Sequence, residues 1–352
     1  MKKAGKSNPP KSSPAPRGRS DAAAGGPDVI AKLLASEEPS IRYKVRVNVL
    51  GEDPHSAAIG KLRDEIRRCP RVAALLSERN DKGRIPYHPY SKWCGAHWVL
   101  SILADIGYPA GDKALRPMAE HVLDCWLNPL HVQGVRVLEG RPRRCASQES
   151  NALYSLLTLG LGEGERLDQL AENLIGWQWP DGGWNCDRDP QAAKSSFHET
   201  TIGVRALALY GRLRRKPRAV AAARRAAEIF LKRNMFRRLS DGRVMNSKFL
   251  PLHYPTYWHY DVLFGLKVMA EAGLIGDTRC QEAIEVLESK RLPDGGFPSE
   301  AKFYSTADER TSSGHPGTGA SRVNWGGLSK RHMNEWVTVD ALYVLKTARG
   351  SC

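Results

Sequence analysis

Apolar residues recur along most of this chain with the three-to-four-residue spacing of helices, and no segment shows a convincing strand alternation. Five segments are apolar around most of the helical circumference, as buried helices are: 92–107, 147–161, 198–211, 257–273 and 335–348. More charged segments with a single apolar face alternate with them: 113–126, 166–179, 217–233 and 278–290. The pattern predicts inner helices that alternate with outer helices.

The N-terminal part extends this alternation. Residues 40–50 predict a sixth inner helix, residues 54–68 its outer partner, and residues 28–36 a helix beside the last inner helix. The inner helices then begin near residues 40, 92, 147, 198, 257 and 335. We therefore expect an all-α fold, an (α/α)6 toroid of six helical hairpins whose ring is closed by the N-terminal helix.

The expected domain organisation is a single toroid domain over residues 28–352 that follows a tail of residues 1–27. The tail is basic, rich in Pro, Ser and Lys and poor in apolar residues, which is typical of disordered segments. The longest connection predicts a flexible loop at about residues 298–331. Long connections lead into the inner helices, so the face where those helices begin is the expected position of a functional site.

The formal net charge of +15 points to an anionic partner, such as nucleic acid, a membrane surface or a phosphorylated ligand. Six basic residues and one acidic residue in the tail account for +5, so the rest of the chain carries +10. The sequence has no helix-turn-helix, zinc-finger or aromatic RNA-binding motif, so specific nucleic-acid binding is the least favoured of these. A transient contact with a membrane surface is compatible with the charge.

The expected location of the protein in the cell follows from features that the sequence lacks. No apolar run approaches the ~20 residues that cross a bilayer, and no apolar segment follows the N-terminal lysines as in a secretory signal. The seven cysteines are scattered and include no C-x-x-C pair. These features predict a cytoplasmic protein with reduced thiols.

Two short stretches between predicted helices have the same turn sequence. Residues 178–184 read Gln-Trp-Pro-Asp-Gly-Gly-Trp, and residues 291–297 read Arg-Leu-Pro-Asp-Gly-Gly-Phe. These turns between helical hairpins resemble the repeat shared by terpenoid cyclases and protein prenyltransferase β subunits. The resemblance implies a toroid, a Gln and an aromatic residue that clamp neighbouring hairpins together, and an apolar, often isoprenoid, ligand.

The catalytic signatures of that superfamily are missing here. Class II terpene cyclases use an Asp-x-Asp-Asp acid, whereas the nearest string, at residues 187–189, is Asp-Arg-Asp followed by Pro. Prenyltransferases bind zinc with Asp-x-Cys and a later His, whereas Cys186 and Asp187 stand adjacent and in the reverse order. The resemblance leaves the reaction open. The chain could be an enzyme, either a terpene cyclase or a prenyl transferase or isomerase-like enzyme, or it could be a protein without catalytic activity.

The starts of the predicted inner helices combine basic and aromatic residues. Helix N-termini present unpaired N–H groups and the positive end of the helix dipole, which favour anions. Aromatic faces suit apolar or cationic ligand parts, although buried aromatics are commonly core. The candidate ligand-binding residues are Lys92, Trp93, His97, Arg143, Arg144, Lys194, Phe197, Trp258, His259, Tyr260, Lys330, Arg331 and Trp336. His97 either faces the ligand or is a histidine of the core.

The same helix starts also hold groups that could transfer a proton. Glu199 and Asp261 are the first choices for a general acid, because a carboxyl half-buried among aromatics has its pKa raised. His198, Glu149 and Glu335 complete the catalytic candidates. The alternative role of each acidic residue is to cap a helix or offset its dipole.

The sequence predicts no metal site and identifies no cofactor. Cys186, Asp187 and His198 could each ligate a metal, but their spacing matches no compact motif. The favoured function is binding of an isoprenoid or similar apolar ligand with an anionic head in a central cavity. The alternatives are a non-catalytic module for a lipid, peptide or protein, and nucleic-acid binding through the basic surface.

Overall fold

The computed structural model of the chain describes residues 27–162, 164–306 and 320–350. These residues are mostly helical, which confirms the all-α prediction. The tail predicted for residues 1–27 lies outside the described residues except for Pro27, and so does the middle of the predicted loop, 307–319. Within the described ranges, no helix has the length and apolarity that a bilayer crossing requires.

Helices account for nearly all of the regular structure. In chain order they are α1 (Pro27–Leu34), α2 (Pro39–Lys44) with a π-helical extension (Val45–Val49), α3 (Ala57–Arg68), α4 (Pro70–Leu76), α5 (Ala96–Asp105), α6 (Arg116–Trp126), α7 (Pro129–Gln133), α8 (Ser147–Thr158), α9 (Glu165–Gly176), α10 (Phe197–Leu213), α11 (Pro217–Leu231), α12 (Val262–Glu271), α13 (Gln281–Glu288) and α14 (Glu335–Arg349). Proline at the first position of α2, α4, α7 and α11 suits a helix start, because its missing N–H would be unpaired there anyway.

Two predicted inner helices begin later than the apolar pattern suggests. The helix expected from residue 92 begins at Ala96, after Gly95 in an extended conformation. The helix expected from residue 257 begins at Val262, where the Asp261 side chain accepts the Phe264 N–H at 2.7 Å as an N-cap. The aromatic residues before both helices therefore lie on loops. The short helices α4 and α7 were not predicted.

Short strands correct the expectation of a strand-free chain. β1 (Arg136–Leu138) and β2 (Arg141–Arg143) form an antiparallel hairpin, and β3 (Ser305–Thr306) pairs in parallel with β4 (Ala320–Ser321). Strands of two or three residues are too short to show an alternating pattern. β3 and β4 belong to the connection predicted as a flexible loop, whose described parts also join through Trp325 N–H and the Tyr304 hydroxyl at 2.8 Å.

The helices pack as the alternation of inner and outer segments requires. We call α2, α5, α8, α10, α12 and α14 the inner helices. Each of the outer helices α3, α6, α9, α11 and α13 packs on the inner helix before it. Inner helices also pack in sequence: α5 on α8, α8 on α10, α10 on α12, α12 on α14, and α14 on α2. α1 contacts α2 and its π-helical extension.

The two Pro-Asp-Gly-Gly stretches have the same structure. In the first turn Trp179 N–H donates to Gly183 O at 2.8 Å, and in the second Leu292 N–H donates to Gly296 O at 2.9 Å. Gly182 and Gly295 have φ angles of +107° and +83°, a conformation that glycine adopts without strain. The sequence repeat is therefore a structural repeat.

Each turn also ties two hairpins together. The Gln178 amide donates to Gly182 O at 2.6 Å in its own turn and to Ala222 O of α11 at 2.8 Å. The N–H of the closing aromatic residue bonds to a threonine hydroxyl in the next inner helix: Trp184 to Thr200 at 3.2 Å, and Phe297 to Thr338 at 2.9 Å. The turns therefore act as clamps between neighbouring hairpins.

A buried network of ion pairs connects charged side chains of five inner helices: α2, α5, α10, α12 and α14. Lys267 of α12 lies 2.8 Å from both Asp105 of α5 and Asp340 of α14. Lys44 of α2 pairs with the same two carboxylates at 3.2 and 2.8 Å, and Arg205 of α10 reaches Asp105 at 3.2 Å. A cavity of about 270 Å³ adjoins this network at the C-terminal ends of the inner helices. The space between these helices is thus crossed by charged side chains.

This network predicts a loss of stability in acid. Burial raises the pKa of Asp105, but the charges of Lys267, Lys44 and Arg205 outweigh burial and hold that pKa well below its ordinary value. A carboxyl whose folded pKa is lowered stabilises the protein above its unfolded pKa of about 3.9, and this stability is lost as pH falls through the folded pKa. Urea unfolding measured from about pH 7 to about pH 3 tests this assignment. The difference in the free energy of unfolding between wild type and Asp105→Asn should become smaller as pH falls. A gap independent of pH would contradict this assignment.

Candidate functional site

The candidate residues lie near the starts of the inner helices, where the described structure shows two clusters of side chains. The first is an aromatic wall made of residues that precede α5 and α12 and of one residue after the second repeat turn: Trp93, Tyr257, Trp258, His259 and Phe303. The second is a thiol cluster made of Cys145, Cys186 and Glu199, at the starts of α8 and α10. The neighbouring charged side chains belong to the surroundings of these two clusters.

The aromatic wall is a continuous set of ring contacts. Trp93 stacks on Tyr257 with ring centroids 4.0 Å apart. Trp258 stacks on His259 at 4.3 Å, and His259 stacks on Phe303 at 3.9 Å. Trp93 and His259 approach to 6.0 Å and join the two stacks. Both segments are loops, and their rings are held by stacking on each other and by Trp98 of α5, whose ring centroid lies 4.8 Å from that of Trp93 and 5.4 Å from that of Tyr257.

One cation and several unpaired polar atoms adjoin the wall. The Lys92 ammonium lies 5.3 Å from the Trp93 ring centroid and 5.1 Å from that of Trp258, within cation–π range. Trp258 Nε1 and His259 Nδ1 are buried atoms without a hydrogen-bond partner among the described residues. Burial, with the charge of His253, lowers the pKa of His259 to about 3, so this ring is neutral at physiological pH.

Asp261 and His198 are engaged in shaping the loop before α12. Asp261 Oδ1 caps α12, while its Oδ2 accepts the His253 N–H at 2.9 Å. His198 Nδ1 accepts the Tyr260 N–H at 2.9 Å, and burial lowers the pKa of His198 to about 4. Both side chains, which the sequence offered as proton donors, hold backbone groups in this structure.

Glu149 lies in a compact polar group at the start of α8. It is fully buried, and its Oε1 accepts from Arg144 Nε at 2.9 Å and contacts His131 Nε2 at 3.0 Å. Arg144 also donates to Gln148 at 2.9 Å. The Arg144 guanidinium therefore neutralises a buried carboxylate.

The thiol cluster lies next to this group. Glu199 Oε2 accepts the Ser147 N–H at 2.8 Å, and its Oε1 lies 3.7 Å from Cys186 Sγ. Burial raises the pKa of Glu199. A hydrogen bond between the two thiols lowers the pKa of Cys186. The carboxyl is thus fixed on one side by the backbone and faces sulfur on the other.

Other basic candidates have different positions. Arg143 is buried, donates to Ala192 O at 3.0 Å and Pro190 O at 3.2 Å, and so holds the loop before α10. Lys194, Lys330 and Arg331 are exposed. Of the predicted basic residues, Lys92 and Arg144 are the ones next to the two clusters.

Several aromatic candidates belong to the core rather than to an open site. Phe197 stacks on Phe249 at 5.2 Å, and the Tyr260 hydroxyl donates to Met235 O at 2.6 Å. His97 is buried among rings and accepts from Trp126 Nε1 at 3.3 Å, and burial lowers its pKa to about 3. The core alternative for His97 is the one the structure shows.

The start of α14 is separate from both clusters. Trp336 is buried and stacks on Tyr254 at 5.0 Å, beside Lys44 of the ion-pair network. Glu335 is half-buried and accepts from the Ser36 hydroxyl at 3.1 Å, which joins α14 to the segment after α1. Glu335 thus connects α14 to the segment after α1, and Trp336 belongs to the core.

The sequence did not indicate Phe303 as a member of the wall, or Cys145 as the partner of Cys186. Cys145 stands directly before a predicted inner helix, but Cys186 stands well before the next one, so the sequence carries no signal that the two side chains meet. Asp187, by contrast, is exposed and outside the cluster.

A scan of the sequence against protein-family models and a search of curated proteins each find no match.

Proposed function

We propose that the chain is an (α/α)6 toroid of the kind found in terpenoid cyclases and prenyltransferases. The serial packing of the inner helices supports a closed ring. Its first and second members, α2 and α5, are joined by the Lys44–Asp105 ion pair. The two clamp turns, which share the Pro-Asp-Gly-Gly sequence and close on Trp184 and Phe297, support the family relationship.

We further propose that this toroid binds an apolar, isoprenoid-like ligand with an anionic head at the face where the inner helices begin. The single observation behind this proposal is the aromatic wall with the Lys92 ammonium over two of its rings. Stacked rings provide an apolar surface for a hydrocarbon chain, and a lysine provides a point charge for a phosphate.

The unpaired donors near Lys92 fit an anionic head. Trp258 Nε1 is a donor only, and neutral His259 can carry a proton on Nδ1. A buried donor without a partner costs about 1–3 kcal/mol, and a ligand that accepts from it recovers this energy. The ion-pair network crosses the space further along the inner helices, so the ligand lies at the helix starts, above that network.

The proposal is for binding and assigns no reaction step, because the acid and zinc signatures of the superfamily are absent from this sequence. We propose a cytoplasmic location, which the six described cysteines support because all six are free thiols.

Farnesyl diphosphate is the probe for this function, because it combines an isoprenoid chain with an anionic head. We expect it to bind and to change the tryptophan fluorescence of the protein, since Trp93 and Trp258 form the wall. Lys92→Gln should weaken binding by roughly 10- to 100-fold, the effect of losing one charge-assisted hydrogen bond. Titrations that follow the fluorescence measure both affinities.

Matched ligands and a matched lysine serve as controls. Farnesol lacks the head, so its affinity should be the same for wild type and Lys92→Gln, while inorganic diphosphate should bind weakly to both. Lys113→Gln removes an exposed lysine at the opposite, inner-to-outer side of a hairpin and should bind farnesyl diphosphate like wild type. Wild-type protein that binds no farnesyl diphosphate would refute the proposal.

A further inference from the structure

Three potential metal ligands converge at the starts of α8 and α10. One ligand atom each from Cys145, Cys186 and Glu199 lies within 4.8 Å of the other two. In the described ranges this is the one group of three or more His, Cys, Asp and Glu side chains that meets this distance. The three residues are half-buried or buried, and they come from two separate loops and a helix.

The backbone holds the two cysteine loops together. Arg143 pairs with Asn185 in a β-bridge, and the Arg144 N–H donates to Asn185 O at 3.2 Å. Each cysteine directly follows this pairing, so the backbone brings the two side chains together. The loop before α10 is further fixed where Ser196 N–H donates to Trp184 O at 2.8 Å.

Glu199 is positioned as a directed third ligand. The Ser147 N–H occupies Oε2 at 2.8 Å, which turns Oε1 toward Cys186 Sγ at 3.7 Å. Tetrahedral zinc with bonds of about 2.0–2.3 Å places its donor atoms about 3.3–3.8 Å apart. The Cys186–Glu199 distance already has this value, and the other two pairs of ligand atoms lie within 4.8 Å of each other.

We propose that Cys145, Cys186 and Glu199 bind one divalent metal ion of the zinc type. Two sulfur donors and one carboxylate oxygen suit Zn²⁺, and three protein ligands leave a fourth tetrahedral position open for water or another ligand. On binding, the two thiols release their protons to solvent and the ion bonds to the two thiolates and the carboxylate.

The proposed site differs from the zinc site that the family resemblance would suggest. Prenyltransferases take ligands from an Asp-x-Cys pair within an inner helix, whereas here two cysteines on separate loops and the first turn of α10 provide them. The site also goes beyond the proposed ligand-binding function, since none of its three residues belongs to the aromatic wall.

The test uses the full-length protein purified under reducing conditions without chelator. We expect about one zinc per chain by elemental analysis, and Co²⁺ added after metal removal should give thiolate-to-cobalt charge-transfer absorption and the visible bands of a tetrahedral site. Cys145→Ser and Cys186→Ser should each remove about half of the charge-transfer intensity and weaken metal binding more than about 10-fold.

Two further variants keep the test decisive. Glu199→Gln can still accept the Ser147 N–H and keeps both thiolates, so it should bind Co²⁺ more weakly with the charge-transfer intensity unchanged at saturation. Cys125→Ser is the matched control, because Cys125 is also half-buried and contacts His88 at 3.5 Å, outside the cluster. It should bind metal like wild type.

Three results would overturn the proposal: no stoichiometric uptake of Zn²⁺ or Co²⁺ by reduced wild-type protein, a Cys145–Cys186 disulfide that persists under the reducing conditions, or an equal loss in Cys125→Ser. If the serine variants fail to fold, as circular dichroism would show, Glu199→Gln decides. Metal content is measured without any lipid, so an absence of metal binding and an absence of farnesyl diphosphate binding are distinguishable.

Discussion

Lys267→Met is expected to lower the free energy of unfolding by about 3 kcal/mol, a large part of the 5–15 kcal/mol typical of a folded protein. Lys267 is buried and lies 2.8 Å from both Asp105 and Asp340. Removal of one partner from a buried ion pair costs about 3–5 kcal/mol because it leaves an uncompensated charge. Lys44 still pairs with both carboxylates, so we expect the lower end of this range. Urea unfolding at neutral pH measures the change.

Matched variants separate burial of charge from loss of packing. Methionine keeps most of the length of the lysine side chain, so little cavity is created. Lys32→Met removes an exposed partner of Asp28, 3.1 Å away, and should cost no more than about 0.5 kcal/mol. Adding Asp340→Asn to Lys267→Met should restore part of the lost stability, because it removes one of the two carboxylate charges that Lys267 pairs with in wild type. A Lys267→Met protein as stable as wild type would show that the network has no energetic role.

The sequence was a good guide to the helices and a poor guide to the loops before them. Helices such as α8 and α10 were predicted within a few residues, because each has an apolar circumference long enough to show its period. α5 and α12 begin four or five residues later than predicted, since Trp93 and Trp258 continue the apolar pattern on loops. At α12 the Asp261 N-cap sets the helix start, and a hydrophobic pattern carries no information about caps.

The interior charges were not predicted for a related reason. Lys44, Asp105 and Lys267 lie far apart in the sequence, in segments whose apolar residues dominate the pattern. A single charged residue in such a helix is compatible with exposure or with a buried partner, and only the packing of α2, α5 and α12 reveals which. The same limit applied to Cys145 and Cys186, whose proximity depends on the pairing of two loops.

The candidate residues lie at or near helix starts in the structure, while their individual contacts depend on tertiary structure. Glu199 and Glu149 both open an inner helix, yet one faces two thiols and the other faces Arg144. Asp261 caps its own helix. These outcomes differ because each carboxylate meets whatever the neighbouring hairpin presents, and the sequence of one hairpin does not contain that information.

Trp184→Ala is expected to be the most destabilising change in the clamp turns, with a loss of about 3–5 kcal/mol of unfolding free energy. The side chain is fully buried, and its Nε1 donates to Leu174 O of α9 at 2.8 Å. Its ring lies so close to Gly203 of α10 that a Cβ there would approach it to 2.4 Å. Alanine would leave a cavity between two hairpins and an unpaired carbonyl. Thermal and urea unfolding measure the loss.

Trp184→Phe separates the hydrogen bond from the packing, and the second repeat indicates what to expect. Phe297 fills the equivalent position after its Pro-Asp-Gly-Gly turn without any ring N–H, and its backbone N–H still bonds to Thr338. Trp184→Phe should therefore keep the clamp and cost about 1–2 kcal/mol, mainly the bond to Leu174. The half-exposed neighbour Trp177 is the control, and Trp177→Ala should cost clearly less than Trp184→Ala. Equal losses for Trp184→Phe and Trp184→Ala would mean that the hydrogen bond, and not the packed ring, holds these two hairpins together.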